Sequence, residues 1–344
     1  MKVLVTGHEG YIGCVLVPLF QSAGHEVVGL DNGLFRGCDF DPPVLDCETL
    51  TLDIRDVEPK HLQGFDAVVH LAGISNDPLG DLNPRGTYDI NHEASVQVAR
   101  AAKAAGVPRF IHSSSCSLYG AAGDAPIDET GAFNPVTPYG ESKVFVERDV
   151  TPMADDSFSP TFLRNSTAYG VSPRLRGDLV VNNLTGYALT TGEVLLKSDG
   201  TPWRPLVHIR DISRAFLAVM EADRSLVHGK AYNVGATKEN YQMIDVARIV
   251  ADVVPDSHIK IEEGAGPDKR CYRVDCDLIT RELGFECEWT VRQGVEELYE
   301  AYKAHGLTLD EFTSSRYVRI RHVKSLIDGG QIDTNLRFKE RGVA

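Results

Sequence analysis

The chain has 344 residues, 42% of them hydrophobic, and a mean hydropathy of −0.17, which suits a soluble globule large enough for two lobes. A formal net charge of −14 disfavours a nucleic-acid partner held through phosphates, and no apolar run approaches membrane-spanning length. Seven cysteines without Cys-x-x-Cys or Cys/His spacing, and no signal sequence, point to a metal-free protein of the reducing cytoplasm.

The chain opens with Lys2-Val3-Leu4-Val5-Thr6, a β-branched run that reads as a buried strand. Thr6-Gly7-His8-Glu9-Gly10-Tyr11-Ile12-Gly13 follows, then an apolar periodic stretch from Cys14 to Ala23. Strand, glycine turn and helix stand in the order a dinucleotide site requires. Gly7 permits the tight turn, Gly10 lets backbone N–H groups of the Tyr11-Ile12 segment approach a pyrophosphate, and Gly13 lets helix and strand pack closely. The next strand, Glu26 to Leu30, ends at Asp31-Asn32, where a carboxylate accepts from ribose hydroxyls and repels a 2′-phosphate. Arg36 lies a few residues on rather than at the strand end, so NAD is favoured over NADP. The stretch from Asp31 to Leu50 reads as an extended surface loop.

A third short strand precedes Leu52-Asp53-Ile54-Arg55 and places Asp53 to accept from an adenine amino group. Ala67 to His70 reads as a fourth buried strand, and Leu71-Ala72-Gly73 after it are small enough for a cofactor to approach the backbone. The loop beyond holds Ser75, Asn76 and Asp77, either sugar-reading groups or a plain turn. A helical pattern runs from Thr87 to Ala105, and a strand from Arg109 to Ser114.

Tyr139-Gly140-Glu141-Ser142-Lys143 sets a phenol and an amine four residues apart, on one face of a helix. The ammonium lowers the phenol's pKa toward neutrality, which suits it to take a proton from an alcohol or return it to a ketone. Further on, Thr161 to Arg164 reads as a strand, Asp178 to Leu184 begins a helix, and Asp211 caps a helix from Ile212 to Glu221. Arg164, Arg174, Arg176, Arg204 and Arg270 are candidates for a local basic pocket in an acidic chain. From about Leu307, Phe312, Tyr317, Ile320, Val323, Leu326 and Ile327 approximate helical periodicity. Such a helix docks on its own subunit, or else covers the substrate lobe or a neighbouring subunit.

The glycine turn, Asp31, Asp53-Ile54-Arg55, Leu71-Ala72-Gly73, Ser113-Ser114-Ser115 and Tyr139…Lys143, in that order, closely resemble the extended short-chain dehydrogenase/reductase family. The branch resembled is that of nucleotide-sugar epimerases and dehydratases, over roughly residues 1 to 300. The resemblance implies an α/β fold: a Rossmann-type doubly wound parallel sheet with a smaller C-terminal substrate-binding lobe. On that pattern residues 1–165 form the NAD domain, with elements near 205–235 returning to it. Residues 166–306 form the substrate lobe and 307–344 a helical extension.

Residue by residue, the resemblance makes Tyr139 the catalytic base and acid, Lys143 its partner and a ribose contact, and Ser115 the second catalytic hydroxyl. Gly7, Gly10, Tyr11, Ile12, Asp31, Asn32, Asp53, Ile54, Leu71, Ala72 and Gly73 line the NAD site. Dehydratases of the family carry Asp and Glu after the catalytic serine; this chain has Cys116 and Ser117, which argues against elimination of water. Candidate contacts to a nucleoside-diphosphate sugar are Ser75, Cys116, Ser117, Asn182, Asn183, Arg204 and Arg270. For Cys116 a buried packing role competes with that reading. The usual Arg-Pro-Gly-Asp run is replaced by Gly266-Pro267-Asp268-Lys269-Arg270, which with Gly170 to Arg176 resembles the branch of GDP-heptose C4 oxidoreductases. The expected reaction is epimerisation through a keto intermediate, usually at C4. The alternatives are net hydride transfer, dehydration, or an idle NAD-binding regulator. A homodimer, paired through the Thr87–Ala105 helix and the helix bearing Tyr139, is also implied.

Overall fold

A computed structural model describes residues 1–42, 45–75, 83–264, 266 and 270–339, with the backbone alone at 122–124. Its centre is a parallel sheet. β1 (Lys2–Thr6) lies between β2 (Glu26–Asp31) and β4 (Ala67–His70), β3 (Glu48–Thr51) extends one edge, and β5 (Arg109–Ser115) continues the other. Beyond β5 come β7 (Ser159–Asn165) and β11 (Ala231–Val234), giving seven strands in the order β11-β7-β5-β4-β1-β2-β3. Winding reverses between β1 and β4, and that crevice is where an open α/β sheet binds its ligand.

The central strands β1, β2 and β4 are rich in apolar residues because both faces are covered. On one face α1 (Gly13–Ser22) and a helix from Ile209 to Glu221 pack Leu16, Val17, Phe20, Ile212 and Phe216 against Val3, Val5 and Val69. On the other, α2 (Ser95–Ala104) and α3 (Pro138–Val150) bring Val98, Ala99, Val146 and Val150 onto Leu4, Val68 and Phe110. A second core builds the smaller lobe, where α4 (Val180–Thr191), α6 (Met243–Val253) and α7 (Val291–His305) flank short sheets, the Ile209–Glu221 helix on the central sheet being α5. In that lobe β8 (Thr167–Tyr169), β10 (Trp203–His208) and β12 (Asn240–Gln242) pair, and β14 (Cys271–Val274) joins β6 (Ala121–Ile127).

Three local readings change, and the tail takes the first of its two alternatives. The helix expected over Thr87–Ala105 begins at Pro84 and carries a π-helical turn at Asp89–Ala94, which turns Asn91 inward. α5 begins at Ile209 with His208 as its cap; Asp211 sits inside the first turn, buried, accepting the backbone N–H groups of Glu288 (3.1 Å) and Trp289 (3.0 Å). The loop after Asp31 is no surface excursion, since Leu34, Cys38 and Phe40 are buried and Phe40 stacks on His305 at 4.4 Å. The tail folds into α8 (Arg319–Asp328) and a following turn, burying Val323, Ile332 and Leu336 beside Leu30, Leu34, Ile54 and Ile74 of its own chain.

Candidate active site

At the crevice, β1 passes into the glycine turn. Gly7 holds φ of +72°, and a Cβ there would stand 2.7 Å from the Ala72 nitrogen, so the turn and the end of β4 meet backbone to backbone. A Cβ on Gly13 would lie 2.4 Å from the His8 carbonyl oxygen. No side chain caps α1 at Ile12; in its first turn the Cys14 and Val15 N–H groups donate to the Gly10 and Ile12 carbonyls, both at 3.0 Å, and a helix start at a glycine turn favours an anion. The Tyr11 side chain turns away, donating its hydroxyl to the Gly170 carbonyl at 2.7 Å and so tying the turn to the smaller lobe.

Asp31 closes β2 with one carboxylate oxygen on the Gly33 N–H (2.8 Å) and the other 3.3 Å from the Glu9 N–H. Burial pushes this carboxyl above the usual range, a cost that hydroxyl donors from a ribose would relieve. Asn32 reaches Asp53 at 3.5 Å, and Asp53 is also paired with Arg55 at 2.7 Å; burial raises its carboxyl, but Arg55 outweighs this and holds it low. Arg36 is gripped by both oxygens of Glu9 (2.7 and 2.8 Å), so the one guanidinium that could greet a 2′-phosphate is already committed. Gly73 is followed by Ile74, whose N–H and carbonyl are both held by the buried Asn91 amide at 2.7 and 2.9 Å. Glycine cradle, acceptor-rich Asp31 and small residues after β4 fit a dinucleotide lacking a 2′-phosphate.

α3 starts at Pro138 under a Thr137 cap, and Tyr139, Lys143 and Glu147 share one face. Gly140 matters for position: a Cβ there would lie 2.9 Å from the Ser117 carbonyl, so only glycine lets this first turn close on the turn after Ser115. Lys143 is buried, its Nζ 5.6 Å from the Tyr139 ring centroid and donating to the Ser113 carbonyl at 2.6 Å. Burial pushes the ammonium down to about 8, and Glu147 opposes that shift. Half-buried Ser115 accepts the Ser117 N–H at 3.1 Å, which leaves its own proton to be donated elsewhere. The Ser117 Oγ is buried and has no hydrogen-bond partner among the described residues.

Behind this face lies a buried network. Glu147 takes the Ser114 hydroxyl at 2.5 Å and pairs with Arg164 at 2.7 Å, and Arg164 also donates to the Tyr119 hydroxyl at 2.9 Å. Arg164 therefore belongs to the scaffold and not to a ligand pocket. Cys116 is fully buried with its thiol on the Arg164 carbonyl at 3.0 Å, and burial pushes it up to about 12, so here it is a packing residue. Asn182 is fully buried as well, accepting the Gly170 N–H and donating to the Arg176 carbonyl, both at 3.0 Å. Asn183 is half-buried and donates to the Gly177 carbonyl at 2.8 Å.

Arg204 donates to the Trp203 and Arg270 carbonyls and lies 5.7 Å from the Tyr272 ring, which packs on Cys116, Leu118 and Tyr119. Arg204 thus lies against the Arg270 backbone and beside Tyr272, whose ring packs with residues of the turn after Ser115. Ser75 accepts from Arg176 at 3.0 Å and links the loop after β4 to that lobe; Asn76, Asp77 and Lys269 lie outside the described residues. Among the described residues no group of three or more His, Cys, Asp or Glu could hold a metal, and no helix is long and apolar enough to cross a membrane.

Residues 3–235 match the model of the NAD dependent epimerase/dehydratase family. The chain belongs to that family. Its cofactor is NAD, and it is an enzyme of the extended short-chain dehydrogenase/reductase type. Mouse UDP-glucose 4-epimerase is 29% identical over 336 residues, spanning 87% of this chain and 94% of its own. Among solved structures, the NAD-dependent NDP-hexosamine 5,6-dehydratase TunA of tunicamycin biosynthesis superposes with a TM-score of 0.80 at 25% identity, over 90% of this chain and 100% of its own. UDP-glucuronic acid 4-epimerase from Bacillus cereus, in complex with UDP-glucuronic acid and NAD, gives 0.75 at 25% identity, over 88% and 99%.

Glu9, Asn91 and Glu147 escape a reading of the sequence for site residues. Glu147 carries a faint signal, eight residues after Tyr139 and four after Lys143 on the same helical face. Asn91 carries none, because a π turn decides where it points.

Proposed function

We propose that this NAD-dependent enzyme is a nucleotide-sugar epimerase that oxidises a secondary hydroxyl, at C4 of the sugar, and then reduces the keto sugar on its other face. The observation that carries this is the makeup of the proton-handling face. Lys143 stands beside Tyr139 and donates to the Ser113 carbonyl two residues before Ser115, while the two positions after Ser115 hold a buried thiol and a serine instead of carboxylates. UDP-sugar epimerases among the relatives support the substrate class.

NAD supplies a hydride acceptor that becomes a hydride donor. Tyr139 takes the proton of the substrate hydroxyl, the Lys143 charge favouring the phenolate, and Ser115 holds the same oxygen by donating its hydroxyl hydrogen. Returning that proton to the ketone closes the cycle with no net redox change. Ser117, with its unpartnered Oγ, and Arg204 with Arg270 are assigned to the sugar and its diphosphate. With Cys116 and Ser117 after Ser115, the site lacks the pair of acids that dehydratases of the family carry there for eliminating water between C5 and C6.

The test is incubation of the purified enzyme with UDP-, GDP-, CDP- and dTDP-hexoses, following products by NMR and NADH by absorbance. Epimer without accumulated NADH is expected. Stoichiometric NADH would make it a dehydrogenase instead, and a deoxy-keto sugar would make it a dehydratase. Tyr139→Phe is expected to lower turnover by about 10²–10⁴-fold, the usual worth of a positioned proton carrier, with NAD binding retained.

A further inference from the structure

The tail beyond the family's matched segment brings Arg319 against the loop that follows Asp31. Arg319 opens α8 and is 4% exposed. Its guanidinium lies 4.0 Å from the Phe35 ring centroid and its Nη2 is 3.5 Å from the Arg174 carbonyl. Nη1 is buried without a hydrogen-bond partner among the described residues.

Arg174 and Arg176 stand beside it, both buried, and each has its own acid: Asp39 at 2.7 Å for Arg174, Asp178 at 2.9 Å for Arg176. Among the described residues Arg319 forms no such pair, and Glu9, the further carboxylate at the turn, is taken by Arg36. Burial, then the charges of Arg176 and Arg174, push the Arg319 guanidinium down to about 10. In a chain of net charge −14 this is a local surplus of positive charge held out of water. A buried charge without a counter-charge is strongly unfavourable, and an anion with several oxygens relieves it.

The position identifies the anion. Arg174 donates to the Glu9 carbonyl in the glycine turn (2.9 Å) and to the Phe35 carbonyl just beyond Asp31 (2.7 Å). Arg176 donates to Ser75, two residues beyond Gly73. The three guanidiniums therefore lie between the Asp31 end and the Gly73 end of the crevice, the stretch a dinucleotide crosses with its diphosphate.

We propose that Arg319 is a diphosphate-binding residue, and that the C-terminal segment uses it as a second anchor, beside the glycine turn, for the bridging diphosphate of NAD. The forked guanidinium suits paired anionic oxygens better than an ammonium does. A cofactor clamped from two separate parts of the chain leaves slowly, which an enzyme that returns its hydride requires. The proposal rests on NAD as the cofactor and not on epimerisation as the reaction.

The experiment compares wild-type, Arg319→Gln and Arg319→Lys enzyme stripped of cofactor, titrated calorimetrically with NAD, adenosine and UDP, and melted with and without inorganic pyrophosphate. For Arg319→Gln the expected result is NAD binding weakened about tenfold or more, adenosine and UDP unchanged, and the thermal shift by pyrophosphate lost. A variant that loses UDP affinity but keeps NAD would move the anchor to the nucleotide sugar and overturn the assignment. Unchanged affinity for both, with only a lower melting point, would reduce Arg319 to a packing residue on Phe35 and also overturn it. Should Gln not fold, Arg319→Lys keeps the charge and loses the fork. It is expected to bind NAD several-fold more weakly, and wild-type affinity there would reject the proposal.

Discussion

Lys143 is a cation enclosed by protein, held by one carbonyl and facing a phenol ring. Burial brings its pKa down from the ordinary 10.5 to about 8, so the ammonium is present below pH 8 and is lost as pH rises through that value. The charge that favours the Tyr139 phenolate disappears with it. We expect kcat to fall on the alkaline side with a midpoint near 8, and Lys143→Met to be slow at every pH with that limb absent. A wild-type profile flat to high pH would reject the role. Glu9 makes a second residue-scale case. Its carboxylate holds Arg36 by two hydrogen bonds beside Asp31. Glu9→Gln frees that guanidinium, so NADP is expected to bind several-fold better while NAD changes little, measured as a ratio of dissociation constants. An unchanged ratio would show that Asp31 alone sets the preference.

At the scale of elements, α3 is the part that organises the chemistry. Its first turn closes at Gly140 on the turn after Ser115, and on the face below Tyr139 Lys143 and Glu147 meet the Ser113 carbonyl and the Ser114 hydroxyl. The Tyr/Lys spacing was legible in the sequence because a helix repeats every three to four residues. Glu147 completes that face, but its role depends on Arg164 of β7, which lies opposite Ser114 of β5 across the sheet. Strand adjacency between residues 114 and 164 is not written in either segment, so Arg164 read as a ligand contact when it is a buried counter-charge. Gly140 gives the element's prediction. Gly140→Ala adds a methyl 2.9 Å from the Ser117 carbonyl and must shift the first turn of α3. Turnover is expected to fall by about a hundredfold, since displacements near 1 Å are that costly, while the melting temperature changes by only a few degrees. Undiminished kcat would mean the turn has slack.

Across the whole molecule, the tail after Leu307 is structural to the cofactor domain although it comes last in the chain. Val323, Ile332 and Leu336 enter the same core as Leu30, Leu34 and Ile54, directly below the Asp31 and Asp53 strand ends. Arg55 bonds the Asn335 carbonyl at 2.7 Å, and Arg337 pairs with Asp56 at 2.7 Å. Burial of three such side chains is worth about 1.5–3 kcal/mol each, a large share of the usual 5–15 kcal/mol of a domain. Deleting residues 307–344 is expected to give a protein that melts far lower or aggregates and loses NAD, read by calorimetry and gel filtration. A truncated chain with wild-type melting and NAD affinity would show the tail to be an ornament.

The sequence by itself determined the strand–turn–helix at the start, Asp31 at the end of the second strand, the Tyr139–Lys143 face and the absence of acids at 116 and 117. All of these are local: short spacings, propensities and the identities of neighbouring residues carry them. Tertiary structure decided what each polar group finds opposite it. It turned Cys116 and Asn182 inward, gave Arg164 to Glu147 and Arg36 to Glu9, placed Asp211 under the Glu288–Trp289 backbone, and brought Arg319 to Arg174 across 145 residues. Such pairings arise because buried charges and amides must be satisfied by whatever the fold brings near, and that proximity is set by packing of distant segments rather than by any local pattern.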